Sequence, residues 1–260
     1  MPPPFRKITV EQLATLLQEF PFTRGIDAVH MHHTWRPTRA QFKGHETIVG
    51  MWRHHTSKNG WRDIAQHLTI DPEGGLWLGR SWNLSPVSAT GHNGASMAGP
   101  FMFEMIGDFD TGQEPFDGPQ KEAALRVCAL VLDRFGLPTS ALRFHRQMAQ
   151  KSCPGTGISH EQTLREVEGL RTRPTGGEEG FGFASAGEGA AAESVPSGGS
   201  DIIFGDEGEP SADEAAGEGV ILFGEEGEGE PGPAEPARPA RPAETPVEAE
   251  VVDLIAALLR

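Results

Sequence analysis

The sequence predicts an α/β domain built on a mixed β-sheet, followed by an acidic tail too polar to fold. Three observations carry this expectation. Short apolar or alternating runs, the pattern of strands, interleave along the first 173 residues with runs of period 3.6, the pattern of helices. Residues 1–175 hold 19 Lys+Arg against 17 Asp+Glu, whereas residues 176–260 hold 3 against 20, so a near-neutral stretch precedes a strongly acidic one. All ten histidines, all five tryptophans and both cysteines lie in the first stretch. The formal net charge of −15 is therefore a property of the tail and says little about what the domain binds.

The elements follow in order. Residues 9–20 read as a helix: Thr9 and Gln12 have the spacing of a capping box, and Leu13, Leu16, Leu17 and Phe20 form one apolar stripe. Residues 26–32 read as a strand, which Pro37 cannot continue. Residues 46–57 read as a helix ended by Asn59-Gly60. HLTID (67–71), the turn PEGG and LWLGR from Leu76 onward form a hairpin pattern. FMFEMIG (101–107) is the strongest buried strand, interrupted only by Glu104. Residues 119–135 have Pro at the first turn and end at Gly136, both helix signals. LRFH (142–145) reads as a short strand and residues 158–171 as a last helix. His54, His55 and His160 are read on helix surfaces, without a role.

From residue 174 to 246 Gly, Glu, Ala and Pro dominate, and disorder is expected. Two copies of one pattern stand out there: an aliphatic run, Phe-Gly, then acids, centred on Phe204 and Phe223. Residues 247–260 fit a short amphipathic helix. Repeated apolar motifs in an acidic tail suit docking to a protein partner, and a solvating tail is the alternative. Two cysteines cannot staple a domain of this size. Cys128 reads as a buried apolar residue, with a Cys128–Cys153 disulfide left open. No apolar leader is visible at the N-terminus, which points to the cytoplasm, or to release by a non-classical route. No run is long enough to span a membrane, and no nucleic-acid partner is expected.

The chemistry concentrates at His145–Cys153, in the string HRQMAQKSCPG. Imidazole and thiolate are zinc ligands, and Lys151 puts a positive charge between them. The third ligand has to come from elsewhere. In VHMHHTW, alternation puts His30 and His32 on one face of the strand and His33 on the other, so either of the first pair could join. A His/His/Cys set leaves one position of a tetrahedral zinc open, as in catalytic sites. A lone acid such as Glu104 inside an apolar strand has to be paired or functional; an ion pair with Arg143 or Arg146 is the plain alternative.

HHTW (32–35), GWRDIAQHLTI (60–70), GLWLGR (75–80), GHN (91–93), FEMIGDF (103–109) and H-x5-K-x-CPG (145–155), in this order, resemble the type 2 N-acetylmuramoyl-L-alanine amidases. That family takes in amidase-type phage lysozymes and peptidoglycan recognition proteins. The resemblance implies a central mixed sheet flanked by helices with a zinc cleft on one side. It implies His32, His145 and Cys153 as Zn2+ ligands, Lys151 as partner of the developing oxyanion, and hydrolysis of the bond between N-acetylmuramic acid and L-alanine in peptidoglycan or muropeptides. One position departs: Gln66 stands where phage and animal members usually have a tyrosine that assists the attacking water. Glu104 falls where the recycling-type members have a glutamate, and is expected to serve as the base. His92, Asn93, Trp35 and Arg80 are expected along the cleft, with a loop cap as the alternative for the first two. The competing functions are a peptidoglycan-binding module without catalysis, and an amidase recruited to a partner by its tail.

Overall fold

The computed structural model describes residues 3–172 together with 251, 254–256 and 258. The elements run β1 (Lys7–Ile8), α1 (Val10–Glu19), β2 (Gly25–His33), α2 (His45–Ser57), β3 (Leu68–Ile70), β4 (Leu76–Leu78), β5 (Ala98–Met105), α3 (Gly118–Arg134), β6 (Leu142–Phe144) and α4 (His160–Arg171). The expected capping box is formed: the Gln12 amide N–H donates to Thr9 Oγ1, and the Thr9 N–H to Gln12 Oε1. Ser159 caps α4 by a single bond, its Oγ accepting from the Gln162 N–H.

Six strands form one mixed sheet in the order β1-β4-β3-β5-β2-β6. The three pairings nearest the chemistry, β3 with β5, β5 with β2 and β2 with β6, are all parallel. The hairpin β3–β4 and the short β1 are antiparallel at the far edge. The two-residue β1 carries too few side chains to show a strand pattern.

The two faces of the sheet have different fates. Val29, Met31, Leu68, Ile70, Phe101, Phe103, Leu142 and Phe144 belong to one apolar cluster with Leu13, Leu16 and Leu17 of α1 and Val127, Val131 and Leu132 of α3. A bulge between Ile26 and Ala28 lets Ile26 and Val29 both enter that core. Cys128 lies in the same cluster, and both cysteines are free thiols. Burial pushes the Cys128 thiol pKa up, so it stays protonated and inert. The opposite face is covered only in part. Ile48, Val49 and Met51 of α2 pack there with Trp77 and Ile106, and Trp61 packs with Met102. The stretch around His30, His32 and Glu104 lies on this second face.

Two further features differ from expectation or extend it. His55 is buried rather than on the helix surface: its Nδ1 accepts from the Ala65 N–H at 3.2 Å, because α2 lies on the sheet and needs a polar anchor for the loop that follows. Residues 251, 254–256 and 258 are helical, and Val251, Leu254 and Leu258 are buried in the main apolar cluster, with Ile255 packed against it. The spacing i, i+3, i+4, i+7 is one helix face. The motifs around Phe204 and Phe223, and the rest of 173–250, lie outside the described residues. Among the described residues no helix is long and apolar enough to cross a membrane.

Candidate metal centre

The end of β2 is fixed by its neighbours. Thr34 Oγ1 accepts from the Gly107 N–H at 2.9 Å and donates to the Pro37 carbonyl at 2.8 Å, which ties the ends of β2 and β5 together. In the parallel register His32 lies opposite Glu104, and Glu104 opposite Thr69 of β3. Registered neighbours share a face, with strand axes about 4.8 Å apart. His32 and Glu104 are therefore side by side on the partly open face, and both are buried.

His145 opens a 3-10 turn (His145–Gln147) directly after β6, which pairs with β2 and so brings this histidine beside His32. The two rings are 4.5 Å apart, centroid to centroid. Cys153 returns to the same place through a clamped loop. The Arg146 N–H donates to the Cys153 carbonyl at 2.8 Å, and the Arg146 guanidinium donates to the carbonyls of Gly155 and Ile158. Ser152 Oγ and the Thr156 N–H both donate to the Asp110 carboxylate, at 3.0 and 2.8 Å. Gly155 has φ +119°, and a Cβ there would lie 2.4 Å from the Phe109 backbone; only glycine lets the loop seat this closely. The His33 N–H donates to Cys153 Sγ at 3.4 Å, a bond that favours the thiolate.

His32, His145 and Cys153 are all buried, and their ligand atoms lie within 4.8 Å of one another. A single tetrahedral zinc with bonds of about 2.0–2.3 Å holds such atoms roughly 3.3–3.6 Å apart, so modest side-chain movement closes the triad. Two imidazoles and a sulfur are the donor set such an ion prefers. Either histidine of the β2 pair was open on alternation alone; the structure brings His32 into the triad. His30 shares its face, with ring centroids 6.4 Å apart. Burial, then the nearby His32, His92, Arg143 and His145, push its pKa down to about 3, so it is neutral.

The remaining candidates are distributed around this centre. Lys151 is half-buried in the turn between His145 and Cys153. Gln66 is fully buried, and its Nε2 donates to Thr69 Oγ1 at 2.8 Å, so it packs beside the strand position that neighbours Glu104. His67 is neutral, with burial lowering its pKa to about 3; its Nδ1 accepts from the Met102 N–H and its Nε2–H donates to the Leu84 carbonyl. His92 is exposed and lines a cavity of about 510 Å³ together with His30 and Arg143. Asn93 Oδ1 accepts from the Ala89 N–H, the loop-cap arrangement, while the residue also lines a second cavity of about 410 Å³. Arg80 lines that second cavity and donates to the Ile64 carbonyl. Trp35 is 46% exposed with φ 53°, and the Arg36 guanidinium stacks over its ring at 4.9 Å.

Sequence reasoning missed Asp110 and Arg146 as the clamp of the ligand loop. Partial burial raises the Asp110 pKa, but the hydrogen bonds from Thr156 and Ser152 and the nearby His33 outweigh it and hold the carboxyl below its usual value. The Asp110→Ala variant removes both bonds and is expected to weaken metal affinity by about 10–100-fold with the fold retained, the range for lost outer-shell support. Chelator competition measures it.

Fold and site together define a class: a mixed-sheet α/β domain carrying a buried His/His/Cys triad at the ends of parallel strands. The sequence profile described as N-acetylmuramoyl-L-alanine amidase matches residues 22–156. The chain belongs to that family. It is 30% identical over 146 residues to the Homo sapiens N-acetylmuramoyl-L-alanine amidase, covering 50% of this chain and 22% of that protein. It is 28% identical over 109 residues to the Drosophila simulans peptidoglycan-recognition protein SC2, covering 42% of this chain and 56% of that one. It thus spans about a fifth and a little over half of those relatives. Among solved structures, the endolysin amidase LysCS of Clostridium intestinale matches with a TM-score of 0.45 at 20% identity, covering 56% of this chain and 85% of that one. Wild-type Drosophila PGRP-LB matches with a TM-score of 0.44 at 24% identity, covering 59% and 84%.

Proposed function

We propose that this chain is a zinc-dependent amidase that hydrolyses the amide between N-acetylmuramic acid and L-alanine in peptidoglycan or muropeptides. The observation that carries the reading is the buried His32/His145/Cys153 triad with Glu104 one strand away in register. The triad would hold Zn2+, which when bound supplies Lewis-acid polarisation of the scissile carbonyl and acidifies a water. Glu104 takes the proton from the attacking water and returns it to the leaving amine. The Lys151 ammonium stabilises negative charge developing on the carbonyl oxygen. Gln66, an amide, cannot act as a base near neutral pH; hydrogen-bonded to Thr69, it serves to pack the strand beside Glu104.

Gln66 also favours a second reading, peptidoglycan binding without turnover, since it stands where active relatives usually carry a tyrosine. Metal analysis combined with digestion of purified sacculi and small muropeptides side by side separates the two. Zinc at one equivalent with release of L-alanine-terminated peptides is expected. Tight binding with zinc bound and no product would establish the second reading instead.

A further inference from the structure

The seat of Cys153 is built from two backbone segments. From the end of β2, the His33 N–H donates to Sγ at 3.4 Å and the His33 carbonyl lies 3.9 Å from it. From the loop after β5, Phe109 and Asp110 form a platform under the cysteine loop. The Phe109 carbonyl accepts from the Gly157 N–H at 2.9 Å, the Asp110 carboxylate holds Ser152 and Thr156, and Gly155 is seated against the Phe109 backbone. A side chain joins the two segments: Nδ1 of the His33 imidazole accepts from the Phe109 N–H at 3.3 Å. Its ring lies 6.1 Å from that of Phe109, inclined by 31°. Alternation puts this ring on the face opposite His32, outside the triad it adjoins. His33 and Phe109 are each 1% exposed, so water does not replace that bond while the loop is closed.

We infer that the His33 imidazole is a positioning residue for the Cys153 thiolate. Its bond to the Phe109 N–H fixes the platform against the end of β2, and the platform fixes the loop that carries the sulfur. The sulfur is thereby held beside His32 and His145 before any metal arrives. A ligand already in place loses less freedom on binding, and outer-shell groups raise metal affinity in this way. Without an acceptor at the Nδ1 position, the buried Phe109 N–H is unsatisfied in the closed loop and hydrated in the open one. The balance then moves toward opening. What the bond requires is an acceptor at that position; neither the second ring nitrogen nor a charge enters. The placement of the sulfur depends on no substrate.

His33→Asn and His33→Gln are compared in the full chain. Asparagine places its amide oxygen where Nδ1 now sits, whereas glutamine, equally polar, carries its oxygen one carbon farther out. Zinc affinity is read by chelator competition. In the metal-free protein, alkylation of Cys153 by iodoacetamide reads how often the loop opens, because the thiol is 3% exposed when closed. Cys128, fully buried in the main core, is the internal control and stays unlabelled while the domain is folded. His33→Asn is expected to match the wild type in both measurements. His33→Gln is expected to lose about 10–100-fold in zinc affinity and to label at Cys153 at least about tenfold faster. Wild-type labelling of His33→Gln, or equal impairment of the two variants, overturns the inference. The labelling arm needs neither metal nor turnover. A wild type that cuts no muropeptide sinks the amidase reading, and the labelling result stands by itself.

Discussion

Replacing Glu104 by glutamine is expected to lower turnover of muropeptides by about 10²–10⁴-fold, the range for removal of a positioned general base. The substitution keeps size and shape and removes only the ability to take a proton. Glu104 is 5% exposed in a strand otherwise made of apolar residues, so it is held in place from both sides by β2 and β3. Because the neutral amide is no harder to bury than the carboxylate, the fold should survive, and KM should change little while kcat falls. Zinc content should remain at one equivalent. Full activity of Glu104→Gln would remove Glu104 from the mechanism and return attention to Lys151 and to groups supplied by the substrate.

The second large effect is on the metal itself. Cys153→Ser is expected to cost at least about 100-fold in zinc affinity, more than the 10–100-fold seen when only outer-shell support is lost. A serine hydroxyl is a far weaker ligand than a thiolate because it stays protonated near neutral pH, so the His33 N–H that now steadies the sulfur no longer supports a ligating anion. His32→Ala should do the same by removing a nitrogen donor from a triad that has only three members. The sign of the pH effect follows from ligand protonation: imidazole and thiolate bind only when deprotonated, so zinc should be released as pH falls. Metal analysis after dialysis, with chelator titration, reads all of this. Retention of one equivalent at wild-type affinity by Cys153→Ser would contradict the ligand assignment.

Much of this arrangement was legible in the residues. The capping box at Thr9 and the apolar stripe of α1 follow from local spacing, and both form as expected. Alternation in VHMHHTW narrowed the third ligand to His30 or His32, because period 2 is a local property. The family resemblance pointed to His32; on alternation alone the choice needs the pairing of β2 with β6, a contact between residues more than 100 positions apart. The same holds for Glu104. Its isolation among apolar residues marked it, but its place beside His32 is a matter of register, which no single strand encodes. Asp110 gave no signal at all, since its bonds to Ser152 and Thr156 arise only when two loops meet. The burial of His55 was hidden for a similar reason: its helix faces the sheet, and that face is mixed rather than cleanly apolar.

The seating of Val251, Leu254, Ile255 and Leu258 in the main apolar cluster makes the far end of the sequence part of the domain's own core. The face that holds the helix is the one turned away from His32 and Glu104, since Val29, Met31 and Phe103 belong to the same cluster. Any free copy of that helix must therefore compete for its seat against a resident one.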